Sequence, residues 1–116
     1  MTEELPENLA DMRCEPCTSK GQPMTSEVAN GYLRRLGKDW HIIEERKLFK
    51  RYVFPNFRHA LAFVNQVGIL ADQVQHHPDC LVAWGRAEIT LWTHDINGLH
   101  LADFILAAKI DRIQPS

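Results

Sequence analysis

The stretch from Phe57 to Pro78, FRHALAFVNQVGILADQVQHHP, decides how the rest of the chain is read. Phe57, Ala60, Leu61, Val64, Gly68 and Ala71 recur at helical spacing and predict one apolar face. Phe63, Val67, Leu70 and Val74 widen that face to about half the circumference at roughly 100° per residue, more than one sheet needs to cover. Asn56 is a suitable N-cap, because its side chain can accept from the first free backbone N–H groups. Pro78 stops the helix, since its ring offers no donor and clashes with the preceding turn. The pattern predicts a helix over 57–74 with His76 and His77 at its exit.

Outward from this helix the period changes to two. Downstream, Cys80–Trp84 and Arg86–Thr93 read as strands joined around Gly85. In the second, Ala87, Ile89 and Leu91 point one way, whereas Glu88, Thr90, Trp92 and finally His94 point the other. Upstream, Trp40–Phe54 holds two short β-type runs broken at Glu44-Glu45-Arg46, which predicts a hairpin. Thr25 or Ser26 caps a first helix that Gly37 ends, and Asn97-Gly98 turns into a last helix from about Leu99 to Ile113. The expected order is α-β-β-α-β-β-α, an α+β fold with a four-stranded, mainly antiparallel sheet and helices on one face. Residues 1–24 show no apolar period and read as an extended N-terminal arm before a single domain over 25–116. In the last helix Leu101, Phe104, Ile105 and Ala108 form one apolar face, with Leu106, Ile110 and Ile113 on roughly the opposite side. A single sheet cannot bury both stripes, so a homo-oligomer, dimer or tetramer, is expected.

Composition removes several function classes. The chain has 116 residues, 45% hydrophobic and 24% charged, which is ordinary for one globular domain. Thirteen Lys and Arg against 15 Asp and Glu leave a formal charge of -2, without the basic excess of a direct nucleic-acid binder. No apolar run reaches the roughly 18 residues of a membrane span, and the acidic first residues do not resemble a secretory signal. A cytoplasmic protein without membrane attachment is expected. Cys14 and Cys17 have half the ligand count of a closed zinc site and read as part of the arm. Cys80 reads as a small core residue.

The chemistry concentrates in three histidines and two acids. Asp72 stands four residues before His76, so a persisting last turn would put both on one face. His94 leaves the last strand, where a loop can hold it against the His76-His77 corner. Asp103 occupies the first turn of the last helix, a position that also stabilises a helix with no further role. His41 and His59 read as ordinary surface or structural histidines. Three imidazoles and a carboxylate could bind zinc or iron, or act as an acid–base set near neutral pH. Adjacent side chains such as His76 and His77 diverge, which disfavours one shared metal. Acid–base chemistry needs no such convergence and is preferred, with no metal.

These residues resemble the pterin-4a-carbinolamine dehydratases. Asp72-Gln73-Val74-Gln75-His76-His77-Pro78, Trp84-Gly85, Ile89-Thr90-Leu91-Trp92-Thr93-His94, Gly98-Leu99 and Asp103-Phe104-Ile105-Leu106-Ala107-Ala108 carry the likeness. Trp40 and Phe54-Pro55-Asn56-Phe57 match upstream, and the arm looks like that of bacterial members associated with phenylalanine hydroxylase. Two positions depart from the usual pattern: Asp72 replaces a glutamate, and His100 replaces the Ser or Thr that opens the last helix.

The resemblance implies dehydration of a 4a-hydroxytetrahydropterin to the quinonoid dihydropterin, recycling the cofactor of an aromatic amino acid hydroxylase. It assigns catalysis to His76, His77 and His94, with Asp72, Gln75, Pro78, Thr93, Asp95, Trp40 and Asp103 binding or orienting. No dissociable cofactor is implied. Some relatives act instead as dimerisation partners of a transcription factor, and such a coactivator-like module is the alternative.

Overall fold

The computed structural model describes residues 9–11 and 22–113. Its elements run α1 (Ser26–Leu33), β1 (His41–Ile43), β2 (Lys47–Val53), α2 (Phe57–Val74), β3 (Asp79–Ala83), β4 (Arg86–Leu91) and α3 (Leu101–Asp111). A 3₁₀ turn at Leu9–Asp11 precedes this order, and a second at His94–Ile96 lies between β4 and α3. The element order is the expected α-β-β-α-β-β-α, and the four strands form a sheet that is antiparallel throughout, in the spatial order β1-β2-β4-β3. Among the described residues no helix is long and apolar enough to cross a membrane.

Strand alternation sets which face is core. Leu48 pairs with Leu91 and Tyr52 with Ala87, so the buried Leu48, Tyr52, Ala87, Ile89 and Leu91 share the face under the helices. On the other face Arg51 and Arg86 converge on Glu88, at 3.3 Å and 2.9 Å. These are exposed pairs that water and salt screen.

The long helix has the expected ends but a rotated buried stripe. Asn56 caps it by accepting from His59 N–H at 3.0 Å. Its buried residues are Ala60, Phe63, Val67 and Ala71, flanked by the half-buried Val64, Leu70 and Val74. Phe57, Leu61 and Gly68, expected on the buried face, are exposed. A half-circumference arc leaves the burial direction open, and Phe63 decides it by fitting against Tyr52 and Phe54, with ring centroids 4.5 Å and 5.3 Å away.

The last helix corrects a second expectation. Leu106 and Ile110 are fully buried within this chain rather than forming an exposed stripe, and Ile113 packs partly buried beside them. Part of their cover comes from the expected arm. Leu9 and Ala10 are buried in a turn against α3, where Lys109 Nζ donates to the Ala10 carbonyl at 2.9 Å. Three residues are too few to show a period, so the sequence hid this contact. Cys14 and Cys17 lie outside the described residues. Cys80 is exposed on the edge strand β3 rather than in the core, and desolvation, then the Asp79 carboxylate, raises its thiol pKa.

The first helix stops at Leu33, short of Gly37, in a turn that carries the chain on to Leu36. At the far end of α3, Asp111 gathers donors from three directions. Trp40 Nε1 reaches it at 2.9 Å, Lys50 Nζ at 2.8 Å and the Tyr52 hydroxyl at 2.5 Å. Burial first, and then the hydrogen bond to Asp111, push the Tyr52 phenol far above its ordinary pKa. This cluster ties the end of α3 to the sheet.

Candidate active site

The site is built where α2 ends. Gln75 takes a left-handed conformation, φ 59°, and His76 N–H returns to the Ala71 carbonyl at 3.2 Å. This closure is of the Schellman type, usually made with Gly or Asn, so a glutamine here holds local strain. Its effect is directional. The chain leaves the helix axis, and His76 swings toward the start of α3 instead of stacking over Asp72.

His76 Nε2 meets Asp103 Oδ1 at 2.5 Å. Asp103 is completely buried, and its second oxygen accepts from the Thr93 hydroxyl at 2.8 Å and His100 N–H at 3.0 Å. His100 stands where a small cap is usual and still caps the helix, since its Nδ1 accepts from Ala102 N–H at 3.2 Å. Asp103 therefore closes its own helix and grips a histidine 27 positions earlier. Thr93 is held in turn by Gly98, through Thr93 N–H to Gly98 O at 2.9 Å. A Cβ at Gly98 would stand 2.5 Å from Pro23 Cβ, so only glycine fits that approach.

Asp72 pairs with a different histidine from the one its spacing predicts. Its Oδ1 lies 2.9 Å from His77 Nε2, and both side chains are mostly exposed. The helix ends at Val74, so the i,i+4 geometry with His76 does not survive the left-handed step at Gln75.

A pocket of about 380 Å³ opens above these groups, lined by Gln75, His76, His77, Trp92, Thr93, His94 and Asp95. Six of the ten expected site residues line it directly. Asp103 lies beneath it through His76, and Asp72 borders it through His77. Pro78 shapes the exit of α2 without lining the cavity. Trp40 belongs elsewhere, buried and bonded to Asp111. Trp92 is the lining residue that sequence reasoning did not assign. Its alternation with Ala87, Ile89 and Leu91 already placed it on the His94 side, and its ring centroid lies 4.1 Å from that of His94.

The arrangement is suited to proton transfer. A carboxylate bonded to Nε2 takes the imidazole N–H there and leaves Nδ1 as the nitrogen free to exchange a proton, neutral as base or protonated as acid. A buried oriented carboxylate behind a histidine fixes both ring orientation and tautomer. Among the described residues no three His, Cys, Asp or Glu side chains converge as a metal-binding set.

The chain is thus an α+β domain with a four-stranded antiparallel sheet and a histidine–carboxylate pocket, and comparison with known proteins narrows its class. The family described as pterin 4 alpha carbinolamine dehydratase matches residues 22–113. A protein of Rubrobacter xylanophilus named as a pterin-4-alpha-carbinolamine dehydratase is 46% identical over 105 residues, covering 90% of this chain and 97% of its own. One of Alkaliphilus metalliredigens with the same name is 41% identical over 107 residues, 92% of this chain and 96% of its own. A solved structure from Brucella melitensis, titled transcriptional coactivator/pterin dehydratase, superposes with a TM-score of 0.71 at 30% identity, covering 78% of this chain and 96% of that one. The chain belongs to the pterin 4 alpha carbinolamine dehydratase family.

Proposed function

We propose that the protein dehydrates a 4a-hydroxytetrahydropterin to the quinonoid dihydropterin, with histidines moving the protons. The reaction breaks the bond from C4a to the hydroxyl, which leaves as water after accepting a proton. The electron pair of the neighbouring ring nitrogen forms the new double bond as that nitrogen gives up its proton. One group must act as acid and another as base, and imidazoles can do either near neutral pH. The observation that carries this reading is the Asp103–His76 pair, a buried carboxylate aimed at a histidine on the pocket wall. His94 and His77 line the same cavity and supply the second proton-transfer group.

The family name and the pocket chemistry support the same substrate class. By the same likeness we assign the chain a cytoplasmic place beside a phenylalanine hydroxylase, whose spent pterin it would recycle, and a dimeric or tetrameric assembly. The exposed Phe57, Leu61 and Ile69 of α2 support that assembly, and sedimentation at micromolar concentration tests it.

The deciding measurement is rapid-mixing dehydration of a 4a-hydroxytetrahydropterin with the uncatalysed rate subtracted. His76→Ala and His94→Ala are each expected to lower turnover by about 10²–10⁴-fold with the circular-dichroism spectrum unchanged. Wild-type rates in both variants overturn the assignment. The coactivator title of the Brucella protein favours a second reading, a protein-binding module. Absence of any turnover by the wild-type chain would favour that module over the enzyme.

A further inference from the structure

Each pocket histidine has a partner, but of different kinds. Asp103 holds His76 and Asp72 holds His77, both through hydrogen bonds. His94 is exposed, and its ring makes no side-chain hydrogen bond to the described residues. What it has is the indole of Trp92, 4.1 Å between centroids and tilted by 35°.

Trp92 is in turn gripped from the β1–β2 hairpin. Lys47 Nζ stands 4.6 Å from the indole centroid and Arg46 Cζ 5.9 Å, both over the ring. Glu44 ties these cations together, at 3.2 Å from Lys47 and 3.6 Å from Arg46. The turn that presents them is strained, with Glu44 and Glu45 both at positive φ. A cation over an indole face is attracted by the ring quadrupole, so the pair restrains the ring.

One further feature separates Trp92 from a packing residue. Its Nε1 is buried without a hydrogen-bond partner. A buried N–H left unpaired is destabilising, and native structures hold few of them. Phe at this position would fill much of the same space and keep an aromatic face without that penalty.

We infer that Trp92 is the positioning residue for His94, an aromatic platform that holds an otherwise unbonded imidazole over the pocket, with Lys47 clamping the platform from the hairpin. This rests on the proposed role of His94 in proton transfer. An aromatic pair biases its partner's orientation by roughly 2- to 10-fold, so the expected effects are of that size and smaller than removal of the imidazole itself.

The test uses Trp92→Leu, Trp92→Phe, Lys47→Met and His94→Ala in the full chain. Turnover is read together with the NMR shifts of the carbon-bound ring protons of His94. Trp92→Leu is expected to lower kcat by about 3- to 10-fold with little change in KM, and to move the His94 protons downfield as the indole ring current is lost. Trp92→Phe should recover most of kcat and part of the shift, and Lys47→Met should cost about twofold or less. Unmoved His94 resonances in Trp92→Leu overturn the inference, as does a wild-type kcat in that variant while His94→Ala is impaired. Wild-type turnover by His94→Ala would instead refute the catalytic role of His94, and the platform role with it. Should Trp92→Leu fold poorly, the His94 resonances of Trp92→Phe decide the matter: a partial downfield shift is expected, and unmoved resonances overturn the inference.

Discussion

The two ends of α3 carry the same device with different outcomes. Asp103 at its start and Asp111 at its end each collect three donors. At the start the donors are a threonine hydroxyl, a backbone N–H and an imidazole. At the end they are an ammonium, a phenol and an indole. Only the first set contains an imidazole, a group able both to give and to accept a proton, and that ring lines the pocket. A carboxylate with three partners is therefore not by itself a catalytic sign. What distinguishes the end proposed to be active is that one partner of its carboxylate is a histidine on the pocket wall.

The largest effect should come from Asp103→Asn. The oxygen facing Thr93 and His100 N–H must remain an acceptor, so the new amide N–H₂ would face His76. An N–H₂ group there needs Nε2 as acceptor, which moves the imidazole proton to Nδ1 and inverts the tautomer. Turnover is expected to fall about 10²–10⁴-fold, with the inverted tautomer visible in imidazole ¹⁵N shifts. Near-normal turnover would erase the distinction between the two ends of the helix.

Asp111→Asn should do the opposite, lowering stability and sparing catalysis. It leaves the half-buried Lys50 ammonium without its countercharge, at a cost of about 1–3 kcal/mol in denaturant unfolding. The value of kcat should stay within twofold.

Tyr52 sharpens the same contrast through pH. Its folded pKa is raised above the ordinary value near 10, so its contribution is fully present below that pH. Stability is lost as pH climbs above it, because the unfolded phenol ionises and the folded one resists. Absorbance from the Tyr52 phenolate is expected only together with alkaline unfolding, and Tyr52→Phe should remove that pH dependence and cost about 1 kcal/mol. Phenolate appearing in the folded protein near pH 10 would contradict the burial described here.

The smallest effect belongs to Asp72. Its bond to His77 is exposed on both sides, and such pairs contribute little in water. Asp72→Asn should change kcat by less than about threefold and stability by less than roughly 0.5 kcal/mol. A loss as large as that of Asp103→Asn would make Asp72 the principal carboxylate of the site.

Much of the fold was legible because its signals are local. The period of 3.6 over 57–74, the alternation over Ala87–Leu91 and the caps at Thr25 and Asn56 each depend on residues within a few positions. Errors arose where burial depends on distant partners. The apolar arc of α2 was too wide to reveal its inward centre, and the second stripe of α3 looked exposed because its cover at Leu9 and Ala10 carries no period. The pocket histidines were legible as a cluster, since His76-His77-Pro78 and Thr93-His94 mark the exits of two elements.

The sequence by itself determined the elements, their order, the face of β4 that carries Trp92 and the family to which the chain belongs. Tertiary structure alone decided which acid serves which histidine. Spacing argued for Asp72 with His76, but one left-handed residue at Gln75 redirects the chain and gives His76 to Asp103 and His77 to Asp72. A single backbone dihedral can reverse such a choice because hydrogen bonds reach only about 3 Å, whereas a turn moves the following side chains by several times that distance.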